Sequence, residues 1–134
     1  MSKGLYIHYP FCASKCLYCD FYSLADLKKR EEYEKSLIFA LESFSDKSIS
    51  LDTIFFGGGT PTLMTERGRE EIFSCIRKSF TLSKNVEITI EANPVGAHDS
   101  DVLEHFFLLG ANRLSIGAQS FFEKELSALG RRHS

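Results

Sequence analysis

The sequence predicts an α/β protein whose strands form a parallel sheet, with about four β/α units in 134 residues. Two observations predict this class. Short apolar runs typical of strands alternate along the chain with longer segments whose apolar residues recur every three or four positions, as in amphipathic helices. Strict alternation of strands and helices favours a parallel sheet, which is either open and doubly wound or part of a barrel.

Each predicted element has its own signal. Strands are predicted where β-branched and aromatic residues cluster, over residues 5–9, 53–56, 86–91 and 113–116. Helical periodicity predicts helices over residues 24–44, 66–80 and 100–109. The apolar face predicted for the first helix consists of Tyr33, Leu37, Leu41 and Phe44.

Capping residues mark the ends of the later helices. Asp99 or Ser100 is placed to cap the third helix at its start, and Gly110 stands where a glycine commonly ends a helix. Ser120 and Glu123 have the spacing of a capping box, which predicts that a fourth helix begins there.

Composition and charge exclude several classes of protein. Sixteen Lys and Arg against eighteen Asp and Glu give a net charge of -2, which argues against a general nucleic-acid binder. No apolar run reaches the roughly 18 to 20 residues of a membrane span, and the first residues lack the apolar core of a signal peptide. We therefore expect a cytoplasmic location.

The residues that could bind a ligand or take part in a reaction follow the predicted strands. The first strand is followed by Cys12, Cys16 and Cys19, and the second by a segment of three glycines and Thr60. Glu91 ends the third strand, and Gln119 follows the fourth. Because the carboxyl ends of parallel strands meet at one edge of a sheet, these segments predict a single ligand site.

The three cysteines form the most specific motif. Disulfides are disfavoured because three thiols cannot all pair and the compartment is expected to be reducing. A structural zinc ion would need a fourth ligand, for which His8 or Asp20 is available. A [4Fe–4S] cluster held by three thiolates leaves one iron open to a substrate, and the spacing and context favour it. Cys75 is predicted to be a buried apolar side chain.

The glycine run has a structural and a functional interpretation. It could form a tight strand-to-helix turn, or bring the backbone close to a ligand. It lacks the lysine of a phosphate-binding P-loop and the glycine spacing of dinucleotide-binding proteins. Glu91 and Gln119 are equally ambiguous alone, as solvated polar residues or ligand contacts.

Together, these motifs resemble those of radical S-adenosylmethionine (SAM) proteins, and more narrowly those of anaerobic coproporphyrinogen III oxidases and their haem-chaperone relatives. The matching stretches appear in family order over residues 6–12 with Cys16 and Cys19, and over residues 56–62, 91–94, 111–121 and 129–133. The resemblance implies a TIM-like barrel, of which this chain carries the first part.

The resemblance also implies cofactors and the residues that bind them. The three cysteines would bind a [4Fe–4S] cluster whose fourth iron is chelated by SAM. One electron passing into the sulfonium would yield a 5′-deoxyadenosyl radical that abstracts hydrogen from a substrate, with a flavodoxin or ferredoxin as electron donor. The residues implied to contact SAM are Tyr6, Tyr18, Gly58, Gly59, Thr60, Glu91 and Gln119.

One position separates two branches of this family. The resemblance implies the pattern Cys-x-x-x-Cys-x-x-Cys-x-Cys for the oxidases, whereas this chain has Phe21 at the position of the fourth cysteine. The resemblance is therefore greater to the haem-chaperone branch, whose members bind haem and pass it on, and haem or a porphyrin is an expected partner. An oxygen-independent coproporphyrinogen III oxidase of haem biosynthesis is the alternative, and a structural zinc-binding domain is a second.

The family's barrel is larger than four β/α units. The resemblance implies six or eight strands and a smaller C-terminal domain, whereas this sequence ends at Ser134, in the middle of the motif that begins at Leu129. We therefore expect residues 1–134 to be the N-terminal part of a radical SAM core domain, without the remainder of the barrel and the C-terminal domain. Such a fragment or truncated product is expected to be inactive alone.

Overall fold

A four-stranded parallel sheet organises the protein, whose computed structural model describes residues 2–94 and 100–131. The strands are β1 (Gly4–Tyr9), β2 (Ser50–Gly58), β3 (Thr81–Ala92) and β4 (Arg113–Ile116). Their order in the sheet is β1-β2-β3-β4, and each neighbouring pair is parallel. The predicted class is confirmed. Because the order follows the sequence without the reversal of a doubly wound sheet, it is the order of a barrel wall.

Within residues 2–94 and 100–131, four helices connect or follow these strands. They are α1 (Arg30–Ser43), α2 (Glu66–Ser79), α3 (Ser100–Leu108) and α4 (Glu123–Ala128), with short 3-10 segments at Leu27–Lys29 and Pro61–Leu63. No helix in the described ranges has the length and apolar character needed to cross a membrane.

The core lies between one face of the sheet and α1, α2 and α3. Alternate strand residues point into it, as Ile54 and Phe56 of β2 and Ile88 and Ile90 of β3 show. Phe73 of α2 stacks on Phe56 with ring centroids 5.1 Å apart. The helices contribute Leu41, Ile72, Phe73, Ile76 and Phe106 to this same cluster. Cys75 is also part of this core, as predicted.

The buried carboxylate of Glu34 joins β1, α1 and α2. Its Oε1 accepts hydrogen bonds from the Tyr9 hydroxyl (3.0 Å) and the Thr65 backbone N–H (2.9 Å), and its Oε2 accepts from the Thr65 hydroxyl (2.6 Å). The Thr65 oxygen in turn accepts from the Gly68 N–H and caps α2. Burial raises the pKa of Tyr9 above its usual range, and the Glu34 carboxylate raises it further.

Several predicted boundaries were wrong. Helix α1 begins at Arg30 rather than at residue 24, because the Asp26 carboxylate accepts from the Lys28 N–H and closes a 3-10 turn first. Phe44, predicted on the apolar face, lies past the end of α1 and is 75% exposed. Strands β2 and β3 extend beyond the predicted ranges, since residues such as Ser50 and Thr81 pair across the sheet.

The predicted caps had mixed outcomes. Gly110 adopts φ +107° after α3, where the Ala111 N–H bonds the Phe106 carbonyl, so the C-terminal prediction is confirmed. Asp99 lies outside the described residues. The fourth helix predicted here is confirmed as α4, but the capping box itself was wrong: α4 begins at Glu123, and the Ser120 hydroxyl accepts from the Phe122 N–H and donates to the Glu125 carboxylate.

Replacing Glu34 by alanine should lower the free energy of unfolding by about 3 kcal/mol, because the Thr65 N–H and hydroxyl would lose their acceptor and the Tyr9 hydroxyl would keep only its 3.4 Å bond to the Leu63 carbonyl. Urea titration measures this difference. Glu42→Ala, at an exposed position of the same helix, should change stability by less than about 0.5 kcal/mol. Equal effects of the two substitutions would contradict the role given to Glu34.

Gly68→Ala should destabilise the protein, although alanine is the better helix former by about 1 kcal/mol. A Cβ at this position would lie 2.2 Å from the Glu34 Oε2 atom, so the carboxylate would have to leave its partners. The midpoint of urea unfolding should fall. A rise would show that Glu34 can move aside at no cost.

Candidate functional site

A cleft of about 180 Å³ lies at the carboxyl edge of the sheet, where the sequence predicts a ligand site. All four strand-following segments contribute to its lining. Of the ten predicted site residues, the cleft is lined by Cys12, Cys16, Cys19, Tyr18, Gly58, Gly59, Glu91 and Gln119. Tyr6 and Thr60 do not line it.

The cysteine loop is closed at its base by the chain on either side of it. The Leu24 N–H donates to the Pro10 carbonyl (2.6 Å), and the Cys12 N–H donates to the Leu24 carbonyl (2.9 Å). Between these bonds, Cys12, Cys16 and Cys19 are free thiols of intermediate exposure. The loop therefore presents three thiols to one cleft without pairing them.

Two glycines let the loop after β2 approach its neighbours. Gly58 has φ +107°, and a Cβ there would lie 2.5 Å from the His8 ring. A Cβ on Gly59 would lie 2.5 Å from the Phe11 carbonyl oxygen. The Gly59 N–H donates to the Tyr9 carbonyl and the Thr60 N–H to the Phe11 carbonyl, both at 2.7 Å. The glycine run thus holds the beginning of the cysteine loop.

Glu91 and Gln119 both line this cleft. The Glu91 Oε2 atom accepts from the Gly58 N–H at 3.2 Å, so the carboxylate faces the glycine run. Gln119 is the non-glycine residue with a positive φ, +64°, among those described. Such a conformation costs roughly 1–3 kcal/mol and is commonest at functional sites.

Thr60 lies behind the cleft and contacts a cysteine. It is 4% exposed, and its hydroxyl donates to the Cys12 sulfur at 3.7 Å. Asn93, which lines the cleft, donates through Nδ2 to the Thr60 hydroxyl oxygen at 2.9 Å.

Tyr6 and His8 lie on the face of the sheet opposite the helices. The Tyr6 hydroxyl bonds the His8 Nδ1 atom (3.1 Å), and the His8 Nε2 atom bonds the Tyr22 carbonyl (3.0 Å). Both ring nitrogens of His8 are therefore occupied, and the ring offers no free ligand atom. Burial, and secondarily the Glu91 charge, raise the pKa of Tyr6, so its phenol stays neutral near pH 7.

Tyr18 lies in the cleft with 44% of its surface exposed. Burial raises its pKa, Arg131 opposes that shift, and Cys16 adds to it. The side chain is therefore a neutral phenol at neutral pH, with its aromatic face available to a planar ligand.

Sequence analysis missed Arg131 as a site residue. Its Nη1 donates to the Cys16 sulfur at 3.3 Å, and its Nη2 donates to the Asn93 Oδ1 at 3.3 Å and to the Gly117 carbonyl. The resemblance already included this residue in the 129–133 motif, but no local signal in the sequence links it to the cysteine loop. Arg132 and His133 of that motif lie outside the described residues.

The spacing of the cysteine sulfurs bears on whether they could bind a single zinc ion or a larger iron–sulfur cluster. Four thiolates on tetrahedral zinc lie about 3.8 Å apart, as Zn–S bonds of about 2.3 Å require. Among described residues, the group of three ligand atoms within 4.8 Å of one another is Glu66, Glu70 and His105, and the cysteines do not form such a group. Their sulfurs are thus spread more widely than a single zinc ion requires.

The group of Glu66, Glu70 and His105 is poorly suited to a metal. The His105 Nδ1 accepts a hydrogen bond from the Arg69 Nε at 3.0 Å, which places the ring proton of neutral His105 on Nε2. That protonated Nε2 lies 3.5 Å from the Glu70 carboxylate and offers no lone pair to a metal.

Comparisons with known proteins agree with this architecture. The Heme chaperone HemW of Escherichia coli is 38% identical over 97% of this chain and 35% of its own length. The mitochondrial Radical S-adenosyl methionine domain-containing protein 1 of Bos taurus is 35% identical, over 98% of this chain and 30% of its own. The chain thus spans about a third of the length of the curated relatives it matches.

A solved structure shows the same arrangement of strands and helices. The coproporphyrinogen III oxidase HemN of Escherichia coli, described as a radical SAM enzyme, matches 98% of this chain and 31% of its own with a TM-score of 0.80 and 27% identity. The family model of the Radical SAM superfamily matches residues 6–134. With four parallel strands converging on three free cysteines, the chain belongs to the radical SAM superfamily.

Proposed function

We propose that this chain binds a [4Fe–4S] cluster through Cys12, Cys16 and Cys19, and SAM beside it, as a relative of the haem chaperones. The main observation in support of this proposal is that three unpaired thiols line one cleft at the carboxyl edge of the sheet. Their spread is wider than a zinc ion needs. Of the two candidate fourth ligands for zinc, His8 has both ring nitrogens bonded and Asp20 does not line the cleft, so these observations favour a cluster over zinc.

The cleft offers partners for a molecule with the groups of SAM. Tyr18 presents a ring for the adenine, and the exposed Gln119 side chain offers both an acceptor and donors. Gly58 and Gly59 bring backbone close to the cleft, and Glu91 supplies a carboxylate for a cationic group. When bound, the cluster supplies one-electron reduction of the sulfonium. The protein's share is to hold the reactants and shield them from water.

Thr60 and Tyr6 receive different proposed roles. Because the Thr60 hydroxyl is buried against Cys12, we assign it to the cysteine and not to SAM. Tyr6 is outside the cleft and 58% exposed, so its contact with SAM stays a prediction from the resemblance.

The haem-chaperone relationship is proposed over the oxidase. Phe21 lines the cleft at the position where the oxidase pattern has a fourth cysteine. The Escherichia coli HemW sequence is also more similar to this chain than the sequence of the HemN structure is. The TM-score of 0.80 to HemN supports the oxidase as second candidate. In both cases residues 1–134 would form the first part of a radical SAM core domain, since relatives continue well beyond the matched third.

Anaerobic reconstitution with iron and sulfide should load about four iron atoms per chain and give broad visible absorbance. Replacing Cys12, Cys16 or Cys19 by serine should remove most of this iron, because each thiolate holds one corner of the cluster. Cys75→Ser is the matched control and should load normally, since that thiol lies in the core. A colourless wild-type chain carrying stoichiometric zinc would contradict the proposal.

A protein of the relatives' full length that contains this domain should, once loaded with its cluster, bind haem saturably, with a Soret shift that reaches its end point near one haem per chain. Optical titration in the absence of oxygen measures the stoichiometry. Consumption of coproporphyrinogen III in the presence of SAM and a reductant would instead support the oxidase. Haem uptake that never saturates would count against the chaperone relationship.

A further inference from the structure

A chain of hydrogen bonds runs from Arg131 to two of the three cysteines. The Arg131 Nη2 donates to the Asn93 Oδ1 (3.3 Å), the Asn93 Nδ2 donates to the Thr60 Oγ1 (2.9 Å), and the Thr60 hydroxyl donates to the Cys12 sulfur (3.7 Å). A second branch leads directly from the Arg131 Nη1 to the Cys16 sulfur (3.3 Å). We call Arg131, Asn93 and Thr60 the thiolate relay.

Every hydrogen bond of the relay is donated in the same direction, from Arg131 through Asn93 and Thr60 to Cys12. A guanidinium only donates, so the Asn93 atom that faces Arg131 must be the amide oxygen, and the amide nitrogen then faces Thr60. Because Asn93 donates to the Thr60 oxygen, the single hydroxyl proton of Thr60 is directed to the Cys12 sulfur. Each member therefore fixes the orientation of the next.

The surroundings hold the relay in place. Thr60 is 4% exposed, so water does not compete for its proton. Arg131 is also bonded to the Gly117 carbonyl, which anchors the guanidinium to the segment after β4. The relay thus connects the segments that follow all four strands.

On the basis of the proposed function, we propose that the thiolate relay positions Cys12 and Cys16 and raises the reduction potential of the cluster they hold. Thr60 and Asn93 are positioning residues that act through Cys12, and Arg131 acts on both branches.

The direction of the effect follows from charge. Reduction adds one negative charge, which the sulfur ligands share, so hydrogen bonds to those sulfurs stabilise the reduced form more than the oxidised form. Removing a donor should therefore shift the potential to more negative values. Ligand orientation is also set by partners beyond the metal, so losing the relay should weaken retention of the cluster.

Thr60→Val, which keeps the side-chain shape and removes the hydroxyl, tests the relay in the reconstituted chain. The midpoint potential, followed by electron paramagnetic resonance during a redox titration, should become more negative than in the wild type. Thr60→Ser retains a hydroxyl and should restore most of the wild-type potential. Thr62→Val is the matched control: Thr62 is 7% exposed and its hydroxyl has no partner among the described residues.

Asn93→Leu tests whether Asn93 acts through Thr60. Alone, it should shift the potential in the same direction by a smaller amount, because the Thr60 hydroxyl is no longer oriented. Combined with Thr60→Val, it should add little to the shift caused by Thr60→Val, since coupled residues are not additive.

The outcomes separate this inference from the proposed function. A wild-type chain that takes up no cluster contradicts the proposed function and this inference with it. A wild-type chain that loads normally, with Thr60→Val matching it in both iron content and potential, overturns the relay alone. Loss of iron from Thr60→Val but not from Thr62→Val supports the positioning role even where the potential cannot be compared.

Discussion

The buried carboxylate of Glu34 is the interaction on which the arrangement of β1, α1 and α2 depends. A carboxylate that is 3% exposed needs partners, and the Tyr9 hydroxyl, the Thr65 hydroxyl and the Thr65 N–H supply them. Tyr9 ends β1 just before the cysteine loop, and Thr65 follows the glycine run and caps α2. A single side chain thereby sets the distance between the two segments that build most of the site.

The site results from this alignment combined with parallel pairing. Because Tyr9 pairs with Gly58 in register, β1 and β2 end together, and the loops that follow them bond through backbone groups of Tyr9, Phe11, Gly59 and Thr60. Glycine is required where a Cβ would meet the His8 ring or the Phe11 carbonyl. The cysteine loop is therefore held by backbone contacts, while its thiols stay free for a ligand.

Much of the fold could be predicted because it depends on periodicity and local chemistry. Strand centres, helix centres and the Gly110 helix end follow from hydrophobic spacing and from the conformation open to glycine. The ends of β2 and β3 could not, because polar residues such as Ser50 join a strand only when a partner backbone is beside them. The buried position of Glu34 was equally hidden, since a charged residue in a helix normally predicts an exposed one.

The sequence by itself determined the parallel α/β class, the three-cysteine motif and the carboxyl edge of the sheet as the place where the strand-following segments meet. These depend on residue order and on strand direction, which a chain carries without knowledge of distant contacts. Only the tertiary structure decided which polar groups touch the thiols. Arg131 lies far from Cys16 in the chain, and their contact exists because β4 returns the chain to the edge where β1 ends. Contacts of this kind are determined by packing between distant segments, so no local sequence pattern predicts them.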